Sequence, residues 1–187
     1  MFVPDPCRPF RRLARNNLLA NARLHRACSL LGPGEWEAPR VSFFPSIKAT
    51  LNHILVVDRF YLDAIAGGTL GPAAWADPEP CATLADLVPA QRTMDRQALA
   101  LCDGLAQEDL GRAVQIHRAG RVQVETCGDT LLHLFLHDQH HRGQVHAMLA
   151  GSSVPPPQLD EFFMDDDARF RADDLAALGW DEDWLRR

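Results

Sequence analysis

The sequence predicts an all-α protein built on a four-helix bundle, and three observations predict it. Four long segments carry helical apolar periodicity, cap and stop residues mark most of their ends, and 47% of the 187 residues are hydrophobic. That length suits one domain with a tail, and that composition supplies a sizeable core. The reading divides the chain into a bundle domain over residues 1–151 and a tail over 152–187 that packs on it.

The first segment covers residues 9–31, with Leu13, Leu18, Leu24 and Leu31 among good helix formers, and stops at Gly32-Pro33-Gly34. Ser46 suits the N-cap of the second, residues 47–66, which ends at Gly67-Gly68. Thr83 suits the cap of the third, residues 84–105, where Leu84, Leu87, Met94, Ala98 and Leu101 form the stripe. Pro89 falls late for a first-turn proline, so a kink or a fresh start is expected near it. In residues 112–125, Val114 and Ile116, then Val122 and Val124, alternate with polar residues around Ala119-Gly120. That is the pattern of a two-stranded hairpin leaning on the bundle. The fourth segment covers residues 129–150, with Asp129 as the expected N-cap and Gly151 as the stop. After Pro155-Pro156-Pro157, the residues Phe162, Phe163, Leu175, Trp180 and Trp184 predict a tail that packs, despite the acidic run Asp165-Asp166-Asp167.

The net charge of -6 argues against a broad phosphate-binding surface. Arg8, Arg11, Arg12 and Arg15 gather near the start among apolar positions, which reads as a solvated helix edge before a DNA or membrane patch. Five scattered cysteines without a CxxC pair fit a reducing compartment. The first residues offer no h-region, and no apolar run approaches the roughly 20 residues of a membrane span. A cytoplasmic protein with no membrane and no nucleic-acid partner is expected.

The chemistry sits in the histidines. At about 100° per residue, His133, His137, His140, His141 and Gln144 share an arc of roughly 100° on the fourth segment, whose other faces are largely apolar. His137 and His141, four apart, can both reach one ion at about 2.0–2.1 Å. His53, in the apolar run Leu51-Asn-His-Ile-Leu-Val-Val, would complete a three-nitrogen metal site with open positions. A lone histidine on an apolar face is more often a satisfied core residue, so the assignment rests on the set. His133 and His140 are candidates to orient the ligands or to line the pocket, and Asp58 joins them. Asp138 and Arg142 read as a helix-surface ion pair, Asp58 and Arg59 as a structural pair, and His25 and His117 as exposed. No catalytic residue is assigned; Cys127 is a poor candidate, because Asp129 nearby disfavours a thiolate. Dinucleotide, P-loop, GxSxG and HExxH motifs are all absent.

Those residues also carry a family likeness. Asn16-Asn17-Leu-Leu-Ala-Asn21-Ala-Arg23-Leu24, Phe43-Phe44-Pro45-Ser46-Ile47 with Thr50 to Arg59, and His133-Leu-Phe-Leu-His137-Asp-Gln-His140-His141-Arg142-Gly143-Gln144 closely resemble the DinB family. The likeness covers about residues 10–150; Asn16, Leu19, Leu136 and Asp138 depart from the usual motif, but no expected ligand does. The resemblance implies an up-down bundle with a long crossover, the ligands His53, His137 and His141, and a homodimer. It also implies kinship with metal-dependent thiol transferases and a thiol-dependent isomerase. The resulting expectation is a site holding one divalent ion, zinc first and nickel or iron next. There it activates a low-molecular-weight thiol toward an electrophile. The competing expectation is a non-catalytic, stress-induced metal or small-ligand binding protein.

Overall fold

Four helices carry the molecule: α1 (Arg8–Cys28), α2 (Ile47–Ile65), α3 (Leu84–Asp103) and α4 (Cys127–Leu149). Strands β1 (Ala113–Arg118) and β2 (Arg121–Thr126) precede α4, and α5 (Ala168–Leu178) and α6 (Glu182–Arg186) follow it. The computed structural model describes residues 5–186; residues 1–4, the start of the stretch expected to lack an h-region, and residue 187 lie outside it.

The helix ends follow local chemistry. Pro9 occupies the first turn of α1, where a missing N–H costs nothing. The Ser46 hydroxyl accepts from the Ala49 amide at 3.1 Å, and Thr83 with Asp86 closes a full capping box. Pro89 does not restart α3, which runs unbroken. The carbonyl its ring leaves unpaired belongs to exposed Ala85, where solvent can take it up. At α4 the cap differs from expectation. Thr126, not Asp129, is the N-cap: its hydroxyl accepts from the Asp129 amide at 3.1 Å, and Asp129 accepts the Thr126 hydroxyl at 2.7 Å. The hairpin pairs Arg118 with Arg121 around a two-residue turn, and Gly120 supplies the positive φ of 73° that turn requires. Val114 and Ile116 are buried while Val122 and Val124 are exposed, so one face of the hairpin leans on α2.

The interior has three layers. One apolar layer joins Phe10, Ala14, Phe60, Ile65, Ala98, Cys102, Leu131 and Phe135. A second joins Leu24, Ile47, Leu51, Leu87, Val145 and Leu149. Order along the chain shows that α1 and α4 run from the first layer to the second, while α2 and α3 run back. The α2–α3 connection, residues 66–83, is therefore the long crossover. Between the layers every helix contributes polar side chains: Asn17 and Asn21 from α1, Asp58 from α2, Gln91 and Asp95 from α3, Asp138 and Arg142 from α4, all buried.

The segment after residue 151 packs against α1, where Phe162, Leu175 and Leu185 bury themselves on Leu19 and Ala20. Arg23 fastens it. Its guanidinium donates to Asp174 at 2.5 and 3.0 Å, to Glu161 at 2.9 Å, and to the carbonyls of Gln158 and Phe170 at 2.7 and 2.9 Å.

Candidate metal centre

Antiparallel packing of α2 on α4 sets His53 opposite His137 and His141 at mid-height of the bundle. One nitrogen from each ring lies within 4.8 Å of the other two, and the His53 and His137 Nε2 atoms stand 3.0 Å apart. Ligands about 2.0–2.1 Å from a shared ion stand roughly 2.9–3.4 Å apart, so that pair is already at ligand spacing. Phe44, just before α2, packs over the group with its ring 4.4 Å from His53 and 5.5 Å from His141.

Burial pushes His53 and His137 down to about 4, helped in each case by neighbouring histidines, and pushes His141 down as well. The rings are therefore neutral near pH 7, with lone pairs available. His141 is oriented by Gln144, whose Oε1 takes the Nδ1 proton at 2.8 Å and leaves Nε2 free. The Gln144 amide continues to His140 Nε2 at 3.1 Å. The Nδ1 of His137 is buried, and the nearest carboxylate oxygen is Asp138 Oδ1 at 3.5 Å. Three convergent neutral imidazoles, two of them half-buried and His141 buried, fit a divalent cation.

The other expected site residues fall as follows. His133 is exposed and packs edge-on against Tyr61 at 5.0 Å, one turn below His137. His140 is exposed, packs edge-on against His141 with ring centres 4.9 Å apart, and bonds Gln144. Asp58 does not face a histidine. It points into the polar layer, where Gln91 donates to it at 2.5 Å, and it forms no ion pair with Arg59 among the described residues. Burial and the facing Asp138 carboxyl push Asp58 well up.

Asp138 and Arg142 are not a surface pair. Both are buried, and Arg142 donates to the side-chain oxygens of Asn17 and of Asn21, the latter at 3.2 Å. Asp95 collects amide donors from Asn21 at 2.8 Å, Gln91 at 3.1 Å and Asn17 at 3.4 Å. His25 is buried rather than exposed, its imidazole pushed down to about 4 by burial and by Arg142 and Arg92, and His117 is half-buried. Burial raises the Cys127 thiol, which suits a packing role.

A four-helix bundle with three histidines converging between two antiparallel helices defines a class of metal-site scaffold. Residues 6–174 match the DinB family, and the chain belongs to it. The solved structure of a DinB-like protein from Bacillus subtilis shares the fold, with a TM-score of 0.54 at 14% identity, over 76% of this chain and 95% of that one. No curated protein matches the chain. No helix among the described residues is long and apolar enough to cross a membrane.

Proposed function

We propose that His53, His137 and His141 hold one divalent ion, and that the centre activates a low-molecular-weight thiol for transfer or isomerisation. The carrying observation is the convergence of three neutral imidazole nitrogens within 4.8 Å. Zinc comes first by geometry, with nickel and iron also suited to imidazole. Three uncharged ligands leave a bound divalent ion its full charge, which would stabilise a thiolate near neutral pH. The chain supplies the rest: Gln144 fixes the His141 tautomer, Phe44 limits water on one side, and the exposed face past His133 admits a ligand.

The test begins with metal analysis of protein purified without an affinity tag. One ion per chain is expected, sharply reduced by His137→Ala or His141→Ala and unaffected by Arg26→Ala on the exposed side of α1. Cobalt-substituted protein is then titrated with several small thiols and assayed with a model electrophile. Coordination without turnover would favour the non-catalytic binding protein, and full metal in His137→Ala would overturn the ligand set. The homodimer belongs to the same reading, since Leu132 and Leu136 leave an exposed apolar stripe on α4; a monomer by light scattering at micromolar concentration would rule it out.

A further inference from the structure

Beside the three histidines lies a cavity of about 310 Å³, lined by Tyr61, Arg118, Gln123, Glu125, Asp129 and His133. Its charges are unneutralised. Arg118 spends Nε on the Gln123 side-chain oxygen at 3.2 Å and Nη2 on the Tyr61 hydroxyl at 3.1 Å, both neutral acceptors. The guanidinium has five N–H donors, so others remain for a ligand. Its Cζ lies over the Phe60 ring, 4.8 Å from the ring centre. Glu125 accepts from the Gln123 amide at 2.8 Å and Asp129 from the Thr126 hydroxyl at 2.7 Å. Among the described residues none of these three charged groups forms a salt bridge. A half-buried guanidinium held in place by neutral partners presents a fixed fork to a carboxylate, and two carboxylates across the same cavity suit an ammonium.

The cavity adjoins the candidate metal centre through His133. Thr130 and His133 line it, and His137 follows one turn further along α4, with the His133 and His137 rings 6.3 Å apart. The seven residue steps from Thr130 to His137 span roughly 11 Å of helix. That is the length of about three extended amino-acid residues. We infer that this cavity is a subsite for a zwitterionic amino-acid head group, carried by a peptide-like thiol whose sulfur reaches the three histidines. The inference rests on the proposed thiol reading of the metal centre. In it Arg118 takes the α-carboxylate, Glu125 and Asp129 face the ammonium, and Tyr61 fixes the guanidinium.

The test uses cobalt-loaded full-length protein and follows its visible spectrum. The titrants are γ-glutamylcysteine, glutarylcysteine, which lacks the ammonium, 4-aminobutyrylcysteine, which lacks the α-carboxylate, and 2-mercaptoethanol. γ-Glutamylcysteine is expected to bind about tenfold or more tighter than either truncated analogue. Arg118→Gln is expected to erase the preference over 4-aminobutyrylcysteine, and Glu125→Gln to reduce the preference over glutarylcysteine. Both should leave 2-mercaptoethanol coordination and helical circular dichroism unchanged, which separates loss of the subsite from loss of the fold. Equal affinities for the three cysteine compounds in the unsubstituted protein would overturn the subsite while leaving the thiol reading intact. If no thiol, 2-mercaptoethanol included, alters the spectrum, the reading of the centre fails and the subsite falls with it.

Discussion

Asp138 follows His137 in the chain yet lies on the inward side of α4, where no water reaches either carboxylate oxygen. Its Oδ1 stands 3.5 Å from His137 Nδ1, close enough to accept that proton after a small adjustment and so to direct Nε2 toward His53. Asp138→Asn is therefore expected to weaken metal binding about 10–100-fold, measured by competition with a chromophoric chelator. Unchanged affinity in a folded variant would show that His137 needs no such partner. Asp95 gives a separate reading by pH. Burial and the neighbouring Asp58 carboxyl push its carboxyl up to about 7 from an ordinary 3.8. The folded protein thus keeps a proton that the unfolded chain releases, and the associated stability is full below 3.8 and lost as pH rises to about 7. An asparagine does not titrate. The melting temperature of Asp95→Asn relative to the unsubstituted protein should accordingly climb between pH 5 and pH 8, and a flat difference would contradict the shift.

At the scale of elements, caps and stops were readable because they are local. Ser46 and Thr83 sit one residue before a clean apolar stripe, and each bonds the third amide of its helix. The start of α4 was misplaced because Thr126 and Asp129 are both good caps three residues apart. Only the backbone decides which of them keeps an extended conformation, and Thr126 does, at φ −78° and ψ 153°. Thr126→Ala should then cost about 1 kcal/mol in urea unfolding. A negligible effect would mean the first turn of α4 is held by packing instead. The buried polar layer was the larger omission. Its signal was present as three i,i+4 pairs, Asn17 with Asn21, Gln91 with Asp95, and Asp138 with Arg142, each interrupting an apolar stripe. Read one helix at a time, such a pair is indistinguishable from a solvated edge. It becomes interior only when three helices present one, and α2 presents Asp58, at the same height, and height is a tertiary property. His137 and His141 were legible for the opposite reason: five of the eight histidines fall between His133 and His146 of one helix, so composition flagged the face, and His53 joined them only as part of the set.

For the molecule as a whole, two attachments decide what survives a perturbation. The first is the segment after residue 151, held on α1 by Arg23. Arg23 and Asp174 are both buried, so Arg23→Met leaves the Asp174 carboxylate only its 2.6 Å contact with exposed Arg26, and a loss of about 1–3 kcal/mol is expected on unfolding. Early proteolytic cleavage beyond residue 151 should accompany it if the segment docks through this contact. The second is the candidate metal centre itself. It lies between α2 and α4, but each helix also buries side chains in both apolar layers, and these contacts do not pass through the histidines. Small metal domains that unfold on chelation lack such layers, so an ion held here would add to stability without being required for folding. A ligand that binds only the folded state stabilises it in proportion to the logarithm of its concentration over its dissociation constant. Chelation is therefore expected to lower the melting temperature while leaving the far-ultraviolet helical signal largely intact, and metal titrated back should restore the temperature progressively. Loss of helix on chelation would place the ion among the groups that hold the bundle together. An unchanged melting temperature in protein shown to carry metal would place that metal somewhere other than His53, His137 and His141.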